Sequence, residues 1–166
     1  MFVNPGSHVG KGEGGVRGTC LLEAIVALLP EGIKREAWEA MLPVALAGGA
    51  MNMKSFRPRL APLGVLVEHV SGRYLRDGGA PYHLFKETAC KLVICLDLDD
   101  TKGRPCKHAV AFDGRVVHDK PLSAQVNLTW DRASTESCNN VFKKLFPESE
   151  FRRWNIVNIF ELSLIV

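Results

Sequence analysis

Hydrophobic residues in the first half of the chain recur at helical spacing. Residues 20–29 form a broad apolar face, Thr19 can cap the start of this segment, and Pro30 with Gly32 ends it. A second helical pattern covers about residues 33–47 and contains a proline that predicts a kink or break. The pattern therefore predicts two consecutive helices, the first of them largely buried.

The second half of the chain has a different pattern. Residues 60–77 are ambiguous, and we favour a short helix there that ends near Gly72. Beyond them, segments rich in branched apolar residues indicate strands, and Asp113-Gly114 is a strong signal for a tight hairpin turn. The predicted elements are strands at residues 91–98, 108–112 and 115–119, a helix at about 134–145 and a final strand within 154–166.

The order of these elements indicates the fold class. Helices come first and hairpin-linked strands second, which predicts an α+β fold with helices packed on an antiparallel sheet rather than an alternating α/β fold. No internal repeat or linker divides the chain. We expect one domain over residues 17–166, preceded by a flexible arm at residues 1–16.

Composition excludes several functional classes. With 46% hydrophobic and 23% charged residues, the chain is neither disordered nor fibrous. The net charge of +3 comes from 21 basic and 18 acidic residues mixed along the chain, so no nucleic-acid surface is expected. No apolar run approaches the roughly 20 residues needed to cross a membrane, and the amino terminus lacks a signal-peptide pattern. Five cysteines, an odd number, indicate reduced thiols and a cytoplasmic location.

The predicted hairpin brings a histidine and an aspartate together. If the turn consists only of Asp113 and Gly114, His108 lies directly opposite Asp119 on one face of the sheet. A carboxylate beside an imidazole can fix its tautomer and orient the ring, as in a catalytic triad.

Cys20 is the candidate nucleophile that would complete such a triad. It occupies the start of the first predicted helix, where the positive end of the helix dipole is expected to favour the thiolate. A thiol on a helix start, a histidine and an acid supply a nucleophile, a base and an orienting group.

This layout resembles the papain-like cysteine protease superfamily. The glycines before Cys20, and the segment Gly-Thr-Cys-Leu-Leu-Glu-Ala-Ile at residues 18–25, are similar to the nucleophile helices of calpains and ovarian-tumour deubiquitinases. The segment His-Ala-Val-Ala-Phe at residues 108–112 resembles the histidine strand of the family, and Asp119 stands on the strand that follows. The resemblance implies a thiol hydrolase for peptide or isopeptide bonds of peptides or ubiquitin-like proteins, with a Cys20-His108-Asp119 triad and no cofactor or metal.

One position departs from the pattern of the family, and another offers an alternative third residue of the triad. Many papain-like enzymes carry a glutamine about six positions before the nucleophile, where this chain has Gly14. Backbone amides of Cys20, Thr19 and Gly14 would then form the oxyanion hole. Asn127, followed closely by a tryptophan, is an alternative third residue of the triad.

Three other functions share these residues. The absence of a glutamine at Gly14 would suit a catalytically degenerate papain-like binding module. Asp97 and Asp99, directly after an apolar strand, resemble the first motif of magnesium-dependent haloacid-dehalogenase phosphatases, but the chain after them is short and lacks a second acidic pair. Zinc could be bound by cysteine and histidine side chains, although their spacing does not favour it; the candidates are Cys90, Cys95, Cys106 and His108.

Overall fold

The computed structural model describes residues 9–10, 19–49, 51–75, 91–114, 116–119, 124–127 and 141–165. The helices are α1 (Cys20–Ala27), α2 (Glu31–Val44), α3 (Met53–Leu60), α4 (Ser71–Tyr74) and α5 (residues 141–145). The strands are β1 (Val9–Gly10), β2 (Val65–His69), β3 (Lys91–Asp100), β4 (Pro105–Phe112), β5 (Val116–Asp119), β6 (Ala124–Asn127) and β7 (Phe151–Leu164).

The first two helices confirm the prediction from the hydrophobic pattern. Helix α1 begins at Cys20, as predicted, and its residues 20–25 are all buried. Helix α2 contains Pro43 and ends at Val44. A π-helical segment, Ala45–Gly49, follows directly. This segment ends the helical run because Gly48 has a positive φ of 101°.

The prediction of a short helix that ends near Gly72 is largely wrong. Residues 65–69 form strand β2, and only the single turn of α4 follows it. Gly64, with φ of 79°, ends a short 3₁₀ turn and lets the chain enter the sheet. Val65 is buried and Leu66 is exposed, which is the two-residue period of a strand.

The strands form one antiparallel sheet. Their order is β2-β7-β3-β4-β5-β6, and β1 pairs with β4 outside this path. Every described strand pair is antiparallel. The α+β expectation, with helices on an antiparallel sheet, is therefore confirmed. Within the arm predicted at residues 1–16, Val9 and Gly10 lie opposite Lys107 and Cys106.

The sheet separates two apolar cores. One core, here called the α1 core, contains α1, α2 and α3 together with Val93, Cys95 and Ala109 from the sheet. The other, here called the α5 core, contains α5 together with Leu96 and Val110. Because neighbouring residues of a strand point to opposite faces, β3 and β4 are buried on both sides. In the part of the chain that the structure describes, no helix is long and apolar enough to cross a membrane.

The β4–β5 hairpin differs from its predicted register. Phe112 pairs with Val117 rather than with Arg115, so residues 113–116 lie between the last paired residues. The two-residue turn expected at Asp113 and Gly114 is therefore wrong. The register is displaced by two residues, which is a whole period of the strand, and each side chain keeps the face that was predicted for it.

Candidate active site

His108 and Asp119 form a buried hydrogen-bonded pair. His108 Nε2 lies 2.9 Å from Asp119 Oδ2, and both side chains are 0% exposed. The displaced register makes Asp119 a diagonal neighbour of His108 instead of its direct partner. Diagonal neighbours on one face remain within reach of long side chains, so the contact survives the two-residue displacement.

The pair also fixes the chemistry of the imidazole ring. A carboxylate can only accept a hydrogen bond, so the neutral ring carries its proton on Nε2 and has its lone pair on Nδ1. The ring of Phe146 contacts the imidazole edge-on, with centroids 5.7 Å apart. His108 is thus held between a carboxylate and an aromatic ring, with Nδ1 as the atom suited to accept a proton.

Cys20 occupies the first residue of α1 and is only 1% exposed. It packs in the α1 core with Ala109 and Cys95. Its thiol donates a hydrogen bond to Met51 Sδ at 3.5 Å. Met51 follows the π-helical segment and is a partly buried side chain packed against the α1 core.

The environment of Cys20 favours the protonated thiol. Burial raises the pKa of Cys20 strongly, and the charges of Cys95 and Asp119 raise it further, whereas backbone hydrogen bonds at Ala109 and Leu21 lower it. The expectation of a thiol acidified by the helix start is therefore wrong for this arrangement. A helix terminus contributes only about 0.3–1 kcal/mol, less than the cost of burying a thiolate away from water.

The structure brings two of the three predicted triad residues into contact: His108 and Asp119 pair on the α5 side of the sheet, where the imidazole contacts Phe146, whereas Cys20 packs in the α1 core on the other side of β4. The Cys20 thiol interacts with the backbone of Ala109, which adjoins His108, and Asp119 is near enough to affect its pKa. Among the described residues, however, the hydrogen bonds of this thiol involve Met51 and the backbone rather than the imidazole.

The remaining predicted site residues lie elsewhere. Thr19 is the N-cap residue of α1, and Gly14 lies outside the described residues. Asn127 pairs through its backbone with Val116 in the β5–β6 ladder. His118, which is outside the predicted triad, is hydrogen-bonded to Asp113 at 2.8 Å.

The residues of the alternative functions have other partners. Asp97 forms an ion pair with Lys107 at 3.0 Å, and Asp99 forms one with Arg153 at 3.1 Å. Within the described ranges, no three His, Cys, Asp or Glu residues are grouped so that they could hold a metal ion. Cys90, one of the candidate zinc ligands, lies outside those ranges.

Met51 is the residue of this site that the sequence did not reveal. It has no motif, and it reaches Cys20 across 31 positions of sequence through the fold of α2 and the π-helical segment. Only the tertiary arrangement brings the two sulfur atoms together.

Comparison with known proteins does not assign the chain to a family. No protein-family model matches the chain, and neither a curated protein nor a solved structure is significantly similar to it. Any functional conclusion therefore depends on the residues and their geometry.

Shortening the Met51 side chain is expected to expose the Cys20 thiol to solvent. In Met51→Ala, alkylation of Cys20 by iodoacetamide at pH 8 should be at least about 10-fold faster than in the wild type, because the sulfur gains solvent and its thiolate becomes less costly. Mass spectrometry of the modified peptides measures the rate. Leu46→Ala is the control, since Leu46 lies in the neighbouring segment and is 68% exposed. Equal Cys20 rates in all three proteins would show that Met51 does not control access.

A second buried thiol predicts a loss of stability at high pH. Burial raises the pKa of Cys95 from 9.0 to about 12, with a smaller lowering by Lys107. Above pH 9 the unfolded chain loses this proton while the folded chain retains it, so the free energy of unfolding falls as pH rises. The expected loss is about 1.4 kcal/mol per pH unit in this window.

Urea unfolding of the wild type and Cys95→Ala at pH 8 and pH 11 isolates this contribution. Between these values the wild type should lose about 3 kcal/mol more stability than the variant. Parallel losses in both proteins would contradict the effect assigned to Cys95.

Proposed function

We propose that the chain is a papain-like cysteine peptidase or isopeptidase that uses Cys20, His108 and Asp119 as its catalytic triad. The observation that carries the proposal is the buried 2.9 Å hydrogen bond between His108 and Asp119, beside the strand segment against which Cys20 packs. Burying two ionisable groups is costly, and apolar residues of similar volume would often stabilise a core as well or better. A catalytic role accounts for this cost, because enzyme sites concentrate such pairs.

The proposed reaction is acyl transfer through a thioester. His108 Nδ1 takes the proton of the Cys20 thiol while the sulfur attacks the carbonyl carbon of the substrate. The resulting tetrahedral oxyanion is stabilised by backbone amides near Cys20. His108 then gives its proton to the leaving amine, the C–N bond breaks, and Cys20 is left acylated.

Water completes the cycle. His108 removes a proton from a water molecule, whose oxygen attacks the thioester carbonyl. The C–S bond breaks, the carboxylic acid leaves, and the proton held by His108 returns to sulfur. Asp119 keeps the ring oriented and stabilises the imidazolium in both half-reactions. Every proton and electron pair is accounted for by the three side chains, the substrate and water, so the reaction needs no cofactor.

In this proposal the structure represents a closed form of the enzyme. The thiol is buried and hydrogen-bonded to Met51 Sδ in the α1 core, whereas His108 lies on the α5 side of β4 beside Phe146, so attack requires a rearrangement that brings the Cys20 sulfur and His108 Nδ1 together. Movement of Met51 would admit the substrate and lower the pKa of Cys20 by removing part of the burial that raises it. Substrate binding and activation of the nucleophile would then occur together.

Peptides or ubiquitin-like proteins are the proposed substrates. The resemblance of residues 18–25 to deubiquitinase and calpain helices supports a peptide or isopeptide bond as the point of attack. Reduced cysteines are compatible with a proposed cytoplasmic enzyme, since the described cysteines, Cys20, Cys95 and Cys106, are all free thiols.

Hydrolysis of a mixed fluorogenic peptide library and of a ubiquitin-like fusion tests the proposal. The wild type should release product, Cys20→Ser should not, and Cys106→Ser should match the wild type because Cys106 is a half-buried thiol outside the proposed triad. Turnover that persists in Cys20→Ser would overturn the proposed nucleophile.

The burial of Cys20 favours a second candidate, a catalytically degenerate papain-like binding module. The Cys20 thiol is buried and hydrogen-bonded to Met51, and a protein that only binds peptides would not need this thiol to react. In that case the wild type and Cys20→Ser would both be inert and would bind the same peptides with the same affinity.

A further inference from the structure

Two buried polar atoms near the proposed site make no hydrogen bond. Among the described residues, Thr19 Oγ1 and Asp119 Oδ1 are both inaccessible to solvent and have no hydrogen-bond partner. Buried polar atoms of this kind are rare in folded proteins, and leaving one unpaired costs about 1–3 kcal/mol. Thr19 directly precedes Cys20 in the chain, and Asp119 is near enough to Cys20 to raise the pKa of its thiol.

Helix capping does not explain the Thr19 hydroxyl. An N-cap threonine ordinarily accepts a hydrogen bond from a backbone N–H of the first helical turn. Thr19 occupies the N-cap position of α1, but its side chain makes no such bond. Its backbone carbonyl alone serves the helix, by accepting a hydrogen bond from the Glu23 N–H at 2.9 Å. The Thr19 hydroxyl proton is therefore not used by helix α1.

We propose that the Thr19 hydroxyl is the side-chain donor of the oxyanion hole. This inference rests on the proposed function. Thr19 directly precedes the nucleophile at the positive end of α1, which is where the carbonyl oxygen of an attacked substrate becomes negative. Gly14 has no side-chain donor to offer at the position where many papain-like enzymes carry a glutamine.

The assigned role requires only a hydrogen bond. Thr19 donates its O–H to the oxyanion as the Cys20 sulfur adds to the carbonyl, and the bond weakens when the oxyanion collapses to the thioester. No proton is transferred, and Thr19 is unchanged at the end of the cycle. Because the bond strengthens in the transition state, its loss should lower kcat more than it raises KM.

Thr19→Val removes the hydroxyl and keeps the branched shape of the side chain. With a peptide amide substrate, its kcat should fall about 100-fold, as expected for the loss of one oxyanion donor, while KM changes less than about threefold. Thr19→Ser should restore most of the lost kcat because it restores the donor. Thr101→Val is the matched control, since Thr101 is exposed on the β3–β4 turn. Thr19→Ala provides a second hydroxyl deletion if the valine variant fails to fold.

Alkylation separates this role from a structural one. Iodoacetamide reacts with Cys20 by displacing iodide from a saturated carbon, a step that forms no oxyanion. The Thr19 variants should therefore alkylate at the wild-type rate although their turnover falls. If alkylation and turnover fall together, or if kcat of both deletion variants stays within about threefold of the wild type, the role of Thr19 is overturned. Loss of turnover in Cys20→Ser would still support the proposed function in those cases, whereas a wild type without Cys20-dependent turnover would overturn both proposals.

Discussion

Replacing His108 by alanine is expected to lower peptide turnover by at least about 1,000-fold. The proposed reaction uses this one ring to take the proton from Cys20 and to deliver it to the leaving amine, so both half-reactions lose their acid and base. Steady-state hydrolysis of the best substrate from the peptide library measures the loss. Alkylation of Cys20 at neutral pH should slow as well, because the thiol loses its base.

His118→Ala is the matched control for this prediction. His118 is also hydrogen-bonded to an aspartate, Asp113, at a similar distance of 2.8 Å, but it is partly exposed and lies outside the proposed triad. The control variant should retain wild-type turnover. An equal loss in both variants would contradict the role of His108 as the base.

Replacing Asp119 by alanine is expected to lower turnover by at least about 10-fold through loss of ring orientation. The same change leaves His108 buried without its carboxylate, so the thermal midpoint of unfolding should also fall. Asp119→Asn separates the two effects, because it keeps the volume of the side chain but can donate to Nε2 and so favour the other tautomer. Its turnover should fall with a smaller loss of stability.

Asn127→Ala tests the alternative third residue. Asn127 pairs with Val116 at the far end of the β5–β6 ladder from Asp119. Its replacement should leave turnover within about threefold of the wild type. Circular dichroism must show that both variants are folded. A large loss in Asn127→Ala with a mild loss in Asp119→Ala would reverse the assignment.

Local signals in the sequence were sufficient for the elements that hold the proposed triad. An apolar face, a cap residue and Pro30 predicted α1 and its start at Cys20, and branched apolar residues predicted β3 and β4. The same signals did not identify β2, and a helix was predicted in its place. The strand is short, and its alternation of buried and exposed residues depends on the tertiary packing of one face.

The His108–Asp119 contact was predicted from an incorrect register. The turn is two residues longer than expected, and the contact persists because a displacement of two residues leaves every side chain on its face. A displacement of one residue would have moved Asp119 to the other face. Sequence therefore predicted the face of each side chain more securely than the pairing.

The state of the Cys20 thiol could not be predicted from the sequence. Position on the chain indicates a helix start, but the pKa depends on how much solvent reaches the sulfur. Cys20 is buried in the α1 core and contacts Met51, and both features are products of the tertiary fold. Burial raises the pKa of Cys20 more than the backbone hydrogen bonds at Ala109 and Leu21 lower it.

Covalent capture of Cys20 by a peptide that ends in a vinyl sulfone tests the proposed nucleophile most directly. The probe should add to Cys20 in the wild type, as located by mass spectrometry of the modified peptide, and adduct formation should be faster in Met51→Ala and much slower in His108→Ala. Cys95 and Cys106 should remain unmodified under the same conditions. An adduct on Cys95 or Cys106 instead of Cys20, or a Cys20 adduct that forms equally fast without His108, would contradict the proposed triad.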